Sequence, residues 1–322
     1  MNPAAPVSPL RNRLFYGGLL ALTIIVLLMF DAFLARLAPP RWPLPLIGIN
    51  LGPFAYRGAP TTLIVLTFTA LTVRELVRFA RLCGCQPFGA LAQFFSASLV
   101  LGPYVAFNLP AIHDEAWGMM GMSVALATMF LAQAIRRGTQ NALLNLSSTV
   151  FIVFYAGGLA GFMTKLRMEI GGPAGVYLLL ASMFVVKMTD VGAFFVGGAL
   201  GRNKMIPWLS PKKTWEGLIG GVVVAVLTAL ALGAWIHLSG AARLPHGVLG
   251  FPLGLVVFGL FMATCSVCGD LCASLLKRDV AVKDSGQAFP GLGGVLDVLD
   301  SPLLSAPAAW FFWTRVVHVQ IG

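Results

Sequence analysis

Several aspartates lie within one polar segment of a chain that otherwise has few charged residues. Residues 266–301 read SVCGDLCASLLKRDVAVKDSGQAFPGLGGVLDVLDS and contain Asp270, Asp284, Asp297 and Asp300. Only 12 of the 322 residues are Asp or Glu. Carboxylates combined with water and substrate phosphate are the usual ligands of Mg²⁺ in proteins. The segment therefore indicates a metal-dependent site that acts on a phosphate-bearing substrate.

The last two aspartates of this segment have a second interpretation. Asp297 and Asp300 are three residues apart, so in a helix they share one face, and Asp270 could approach them from a neighbouring helix. Acidic residues in the first turn of a helix are also stabilised by the helix dipole. That structural role would account for one or both of them, but not for the bases beside them. Those bases are Lys277, Arg278 and Lys283.

A second polar segment, residues 210–217, reads SPKKTWEG. Ser210 or Thr214 is a suitable N-cap for the helix that should follow. Two lysines and two hydroxyls at a helix N-terminus also form an anion-binding arrangement, because free backbone N–H groups and the helix dipole add to the side-chain charge. We expect a phosphate chain as the ligand. The alternative is a basic cluster that contacts lipid headgroups.

A third polar segment begins inside an apolar run. Lys187 and Asp190 are three residues apart, a spacing that favours an ion pair on one helix face. Ionisable residues within membrane spans are usually functional, and the alternative is that this pair only neutralises itself. The glycines at positions 192, 197, 198 and 201 permit close packing between helices.

Membrane-spanning helices must position these segments. Apolar residues make up 58% of the chain and the mean hydropathy is +0.85, whereas soluble domains have about 45–50% apolar residues. A helical crossing needs about 20 apolar residues. We therefore predict an all-α, polytopic transmembrane helical bundle with about nine spans. The predicted spans are 14–38, 59–80, 89–110, 116–135, 141–163, 173–199, 214–238, 247–275 and 300–320.

The positive charges indicate how the bundle is oriented. If the spans alternate in direction, 14 of the 22 Lys and Arg residues fall on the side of the N-terminus and seven fall on the other, with Lys187 inside a span. Lys and Arg concentrate in cytoplasmic loops. We therefore expect an integral protein of the bacterial inner membrane with its N-terminus and its active site facing the cytoplasm.

Composition divides the chain into three parts. Residues 1–13 are rich in proline and are predicted to form a disordered cytoplasmic arm. Residues 14–170 are predicted to be N-terminal membrane helices with short polar turns. Residues 171–322 contain the polar segments and are predicted to be the C-terminal catalytic membrane region.

The three polar segments resemble, in the same order, the motifs of one enzyme family. From residue 274 to residue 300 the pattern is SLLKR-x4-KD-x-G-x2-FP-x-LGGV-x-D-x2-D. This pattern closely resembles the signature of the phosphatidate cytidylyltransferases, also called CDP-diacylglycerol synthases. Residues 210–217 and 190–204 are similar to that family as well. Outside these motifs the resemblance is limited to the number and hydropathy of the spans.

The resemblance implies a membrane nucleotidyltransferase of phospholipid biosynthesis that condenses CTP with phosphatidate to CDP-diacylglycerol and pyrophosphate. It implies Mg²⁺ as a cofactor, bound by Asp270 and Asp297, and leaves open a second cation, monovalent or divalent. Asp284 and Asp300 would be further catalytic ligands or would orient the first two. The expected partners are CTP, phosphatidate and membrane lipids, with no nucleic acid, and a homodimer is left open.

The resemblance also implies the substrate-binding residues. Lys277 and Arg278 would hold the phosphatidate headgroup, and Lys283 would contact substrate beside them. Glu216 would orient a lysine or the nucleotide. The residues expected to hold the triphosphate are Ser210, Lys212, Lys213 and Thr214.

Two positions depart from the family pattern. Leu292 stands where the family usually has His, and Val298 stands where it usually has Arg. Neither is one of the four aspartates, so the metal site could survive. The departures leave open a sibling CTP-dependent enzyme that uses another lipid phosphate, and an inactive or transport protein of the same fold.

Overall fold

The computed structural model describes residues 10–37, 57–108, 114–239, 252–289 and 291–317, and these residues form a helical bundle. A π-helical segment, Val153–Gly158, joins α5 to α6 without a break, and a second one, Phe312–Val316, extends α10. The helices are α1 (Leu10–Arg36), α2 (Ala59–Leu82), α3 (Gly89–Asn108), α4 (Asp114–Arg137), α5 (Ala142–Ile152), α6 (Leu159–Ile170), α7 (Gly172–Leu200), α8 (Trp215–Leu238), α9 (Leu253–Asp279) and α10 (Val295–Phe311).

The predicted spans agree with these helices. Every predicted span has a helix at its position, although residues 38, 109–110, 247–251 and 318–320 lie outside the described part of the chain. Eight of the described helical stretches are long and apolar enough to cross a membrane. The helix that does not meet this criterion is α2, which carries Arg74, Glu75 and Arg78. The all-α membrane bundle predicted from the sequence is thus confirmed.

The structure can be compared with two further predictions, the disordered arm at residues 1–13 and the boundary between residues 14–170 and 171–322. Helix α1 begins at Leu10, so the last four residues of the predicted arm are helical, and residues 1–9 lie outside the described part. Gly171, with φ 67°, separates α6 from α7 at the predicted boundary between the two regions. The regions pack together, since α1 contacts α7 and α6 contacts α10. Their division into a helical and a catalytic part stays a prediction.

Glycines allow α7 and α8 to pack closely. A Cβ atom added to Gly221 would lie 2.8 Å from the carbonyl oxygen of Thr189, and one added to Gly217 would lie 2.9 Å from that of Ala193. Both distances are too short for a real side chain, so small residues are required here. This close pair of helices holds Asp190 and the start of α8 in a fixed relation.

Contacts between loops and helix ends gather at one face of the bundle. An added Cβ at Gly17 of α1 would lie 3.5 Å from Leu292, in the loop before α10. The Cys83 thiol, just after α2, donates to Asp279 at the end of α9 at 3.3 Å, and burial together with this carboxylate raises the pKa of the thiol. The 201–214 segment meets the end of α9 where the Arg278 side chain donates to the Leu209 carbonyl. We call this the motif face, because it contains the polar segments.

A buried ion pair lies towards the opposite face. Arg167 of α6 donates to both carboxylate oxygens of Asp31 in α1, at 2.9 and 3.1 Å, and the two side chains are 2% and 0% exposed. The backbone N–H of Gly58 and the hydroxyl of Thr61 also donate to Asp31. Every strong hydrogen-bonding position of the carboxylate is thus used, as a buried charge requires. This pair fastens α1, α2 and α6 together.

Candidate active site

Five charged residues from four elements form a polar cluster at the motif face. Lys187 and Asp190 come from α7, Asp270 from α9 and Asp300 from α10, while Lys213 comes from the segment before α8. We refer to these five residues as the polar cluster. Ser266 of α9 contacts Asp190 at 3.2 Å, and a Cβ added to Gly269, the residue before Asp270, would lie 2.5 Å from the carbonyl oxygen of Asp300, so α7, α9 and α10 bring the three carboxylates to one region.

The contacts within the polar cluster are loose on one side and close on the other. Lys187 Nζ lies 3.6 Å from Asp190 and 4.0 Å from Asp300, whereas Lys213 Nζ lies 2.8 Å from Asp270. The side chains of Lys187 and Asp190 are 44% and 39% exposed. Ion pairs that are this long and this exposed contribute little stability. Their lysines and carboxylates are therefore available to a ligand.

The ion pair predicted between Lys187 and Asp190 is present, but it does not stand alone. The Ser266 hydroxyl of α9 lies 3.2 Å from Asp190 and contributes a hydrogen bond. Asp300 approaches the same lysine from α10. Interaction with residues from two further helices argues against an isolated pair that only neutralises itself.

A β-hairpin that the sequence analysis did not predict positions Lys213. Strands β1 (Lys204–Ile206) and β2 (Ser210–Thr214) pair antiparallel, with Lys204 opposite Thr214 and Ile206 opposite Ser210. Successive residues of a strand point to opposite faces. In agreement with such an alternation, Lys213 reaches Asp270 of the polar cluster, whereas its neighbour Lys212 is exposed, although the register of the hairpin is irregular between its two partner pairs.

Thr214, and not Ser210, is the N-cap of α8. Its hydroxyl oxygen accepts a hydrogen bond from the backbone N–H of Gly217 at 3.1 Å. Thr214 is buried among Gly197, Gly201 and Gly217, where an added Cβ on any of the three would meet its side chain. The cap fixes the end of the hairpin on α7, so the position of Lys213 is set by the packing of two helices.

Asp297 lies in a separate group of contacts at the start of α10. Lys277 Nζ contacts one carboxylate oxygen at 2.7 Å, and the other oxygen accepts from the backbone N–H groups of Ser285 and Gly294 at 2.7 and 2.9 Å. Asp297 therefore serves as a capping group for α10, which is the structural alternative considered for it. Among the residues that the structure describes, it shares no hydrogen-bond or ion-pair partner with Asp270, which contacts Lys213 and Ser274.

Glu75 of α2 completes this second group. Its carboxylate accepts from the backbone N–H groups of Val295 and Leu296 at 2.8 and 2.9 Å and from the Ser285 hydroxyl at 2.7 Å. Carboxylates are favoured at a helix N-terminus by the free N–H groups and the dipole. We refer to Glu75, Lys277, Ser285 and Asp297 as the loop clamp, because they hold residues 283–296 onto α2 and α9.

The remaining predicted residues lie at the rim of these two groups. Lys283 and Asp284 are exposed on the loop between α9 and α10. Arg278 donates to the Leu209 carbonyl at 3.4 Å, which links α9 to the hairpin. Glu216 accepts from the side chain of Asn203 at 2.7 Å and so braces the hairpin entry. Ser210 is partly buried at the start of β2.

Tyr155 is a residue near the polar cluster that sequence analysis missed. It lies in the π-helical segment, its side chain is buried, and its hydroxyl has no hydrogen-bond partner among the described residues. The charge of Asp300 acts on this hydroxyl. π-helical turns occur frequently at functional sites. A buried hydroxyl without a partner is costly, so it marks a place where a ligand or water can bind.

The carboxylates of the motif face fit a metal ion only in combination with a substrate. Within the described ranges, no three His, Cys, Asp or Glu side chains are arranged to hold a metal ion by themselves. Mg²⁺ is usually held by one or two carboxylates with water and substrate phosphate. Asp270 is 33% exposed, and one of its oxygens accepts only a long hydrogen bond of 3.4 Å from Ser274, so this oxygen can take such a ligand. The all-oxygen donor set is the type that Mg²⁺ prefers.

Comparison with known proteins places this arrangement in a family. The family model described as the Cytidylyltransferase family matches residues 41–316. The chain belongs to the cytidylyltransferase family. It is therefore an integral membrane nucleotidyltransferase, as the resemblance of its motifs implied.

Curated relatives extend this comparison. The chain is 28% identical over 273 residues to a phosphatidate cytidylyltransferase of Synechocystis sp., which covers 77% of this chain and 86% of that protein. It is 30% identical over 298 residues to the chloroplastic phosphatidate cytidylyltransferase 5 of Arabidopsis thaliana, covering 83% and 69%. A phosphatidate cytidylyltransferase of Haemophilus influenzae is 38% identical over 144 residues, about half of either chain at 44% and 48%.

Proposed function

We propose that this protein is a phosphatidate cytidylyltransferase, which condenses CTP with phosphatidate to give CDP-diacylglycerol and pyrophosphate in phospholipid biosynthesis. The observation that carries the proposal is the convergence of lysines and carboxylates from α7, α9, α10 and the hairpin at the motif face. Family membership and the names of the relatives support the same reaction.

In this reaction a phosphate oxygen of phosphatidate attacks the α-phosphorus of CTP. The new P–O bond forms as the bond between the α-phosphorus and the bridging oxygen breaks, and pyrophosphate leaves with that oxygen. Phosphatidate is itself the nucleophile, so no protein nucleophile is required. Catalysis of such transfers consists mainly of positioning and charge neutralisation.

Lys213 and Lys187 are the residues that we assign to the phosphates. Both reach into the polar cluster, and both are held there by carboxylates rather than by solvent alone. A phosphate group that binds between them would exchange two ion pairs for charge-assisted hydrogen bonds. We keep the assignment of Lys277 and Arg278, about two turns beyond Asp270 on α9, to the headgroup of phosphatidate.

We propose Mg²⁺ as the cofactor, held by Asp270 and one carboxylate of α10. Asp300 is the α10 carboxylate that lies in the polar cluster, whereas Asp297 would first have to release Lys277. When bound, the ion would draw charge from the phosphate oxygens of CTP and favour departure of pyrophosphate. Asp190 would remain the partner of Lys187.

We also propose that the motif face lies on the cytoplasmic side of the bacterial inner membrane, where CTP is found. The excess of Lys and Arg among its loops and helix ends supports this orientation.

The test is an assay of the purified full-length protein in nanodiscs with labelled CTP and phosphatidate. We expect labelled CDP-diacylglycerol and one pyrophosphate per product, and loss of both with a chelator that Mg²⁺ reverses. Parallel reactions with other lipid phosphates test the sibling enzyme that Leu292 and Val298 left open. The proposal would be contradicted if the protein elutes as a folded species in size-exclusion chromatography and still forms no cytidylylated lipid with phosphatidate or any other lipid phosphate.

A further inference from the structure

The outer surface of the β1–β2 hairpin carries an exposed tryptophan, which is unfavourable for a surface that contacts only water. Trp208 lies at the hairpin turn and is 76% exposed. Its neighbour Leu209 is buried and its carbonyl accepts from Arg278. One side of the turn therefore packs on the protein, and the other presents a large aromatic ring outwards.

Three cations at the hairpin are exposed and do not belong to the polar cluster. Arg202, Lys204 and Lys212 are exposed, and none of them forms an ion pair within the described ranges. Lys213 is the hairpin cation that differs, because it is partly buried and contacts Asp270 at 2.8 Å. Glu216, which accepts from the neutral side chain of Asn203, adds one negative charge beside these three cations. This surface is thus net cationic, with three positive charges against one negative charge.

The hairpin continues the lipid-facing surface of the bundle. It connects α7 and α8, both of which are long and apolar enough to cross a membrane. Exposed apolar side chains lie where these helices meet the hairpin. They are Phe194, Phe195, Leu200, Trp215 and Ile219. The hairpin therefore begins where the hydrocarbon region ends, at the depth of the lipid headgroups.

We propose that this hairpin lies in the membrane interface, with Trp208 at the boundary between headgroups and acyl chains and with Arg202, Lys204 and Lys212 on the phosphates of anionic lipids. Trp is enriched at this depth because its ring is apolar and its N–H is polar. Basic side chains near the surface are attracted by anionic headgroups. The proposal assigns Lys212 to lipid and not to CTP, and it does not depend on the reaction that the protein catalyses.

Tryptophan fluorescence of the full-length protein in nanodiscs tests the aromatic part. The signal of Trp208 is obtained as the difference between the protein and its Trp208→Phe variant. We expect this signal to be quenched by lipids brominated on their acyl chains and protected from aqueous iodide. Trp235→Phe gives the matched positive control, since Trp235 is 56% exposed within α8. Quenching by iodide and none by brominated lipid would overturn the proposal.

The charge part is tested by lipid composition. Adding phosphatidylglycerol to phosphatidylcholine nanodiscs should increase the quenching of Trp208 by brominated lipid, and the R202Q/K204Q/K212Q variant should lose at least half of that increase. The R81Q/R136Q variant, which removes two exposed arginines elsewhere at the motif face, should keep it. Replacing phosphatidylglycerol by phosphatidate separates a general anionic surface from a preference for the substrate lipid. Equal quenching with and without anionic lipid would show that the cations do not contact headgroups.

Discussion

The Asp31–Arg167 pair and the polar cluster both place opposite charges within a membrane bundle, but they are built differently. Arg167 holds both oxygens of Asp31 at 2.9 and 3.1 Å, and neither side chain is more than 2% exposed. Lys187 stands 3.6 and 4.0 Å from its two carboxylates and is 44% exposed. A charge whose hydrogen-bonding positions are all occupied has no place for a further partner. A charge in long, exposed ion pairs can exchange its partners for a ligand. The first arrangement is suited to stability and the second to binding.

The largest effect is expected when the cation of the buried pair, Arg167, is removed. Arg167→Met would leave the Asp31 charge buried and unpaired, which costs about 3–5 kcal/mol. We expect a loss of folded protein in fluorescence-detected size-exclusion chromatography and a much lower unfolding temperature. Arg36→Met, which removes an exposed arginine bonded to Tyr177, should cost only about 1 kcal/mol. Equal stability of the two variants would contradict a structural role for Arg167.

The opposite result is expected in the polar cluster. Asp270→Asn should lower kcat by roughly 100- to 1,000-fold, the usual effect of removing one electrostatic contact to a transition state. Because the pair with Lys213 is partly exposed, the unfolding temperature should hardly change. Asp279→Asn, on the same helix but exposed at its end, is the matched control and should remain active. Full activity of Asp270→Asn in the labelled-CTP assay would remove Asp270 from the mechanism.

Variants of the loop clamp should affect both quantities, with a moderate loss of stability and a moderate loss of activity. Glu75→Gln keeps the shape of the side chain but places an NH₂ group against donors that need an acceptor, at a cost of about 1–3 kcal/mol. We expect faster hydrogen exchange at the amides of Val295 and Leu296 and a higher KM for phosphatidate. Arg74→Gln, the exposed neighbour on α2, should change neither quantity. Unchanged exchange at these two amides would argue against the clamp.

The smallest effect is expected at Tyr155. Tyr155→Phe removes a buried hydroxyl that has no partner in the described part of the chain, so stability should be retained or increased. If the hydroxyl binds substrate or an ordered water, activity should fall by roughly 2- to 10-fold, equivalent to one hydrogen bond of about 0.5–1.5 kcal/mol. Tyr177→Phe, far from the cluster, should leave activity unchanged. A loss of stability in Tyr155→Phe without loss of activity would assign the residue to packing.

Much of the fold could be predicted because hydropathy alone defines membrane helices. The predicted spans match the helices, and the fifth differs in an instructive way. The predicted span ends at residue 163, before Lys165 and Arg167, yet the helical stretch continues to Ile170. Asp31, more than a hundred residues earlier, neutralises Arg167 inside the bundle. The local sequence contains no sign of that partner.

The candidate site was harder to predict for the same reason. Asp270 and Asp300 were recognised by their motif, but Glu75 contacts residues 220 positions away and has no motif of its own. The hairpin was not predicted, because its strands have only three and five residues and Pro211 interrupts the second. The predicted metal pair, Asp270 and Asp297, stays a prediction, while the structure adds Asp190 as a neighbour of Asp270.

The contact of Glu75 with the start of α10 predicts what happens when the two halves of the chain are expressed as separate polypeptides. A gene fragment that encodes only residues 171–322 would contain every signature aspartate but would leave the amides of Val295 and Leu296 without their acceptor. Mixing that fragment with residues 1–170, expressed as a separate polypeptide, would restore it. Helix α2 thus holds the loop and helix start that carry the signature aspartates, in addition to any part it has in the membrane bundle.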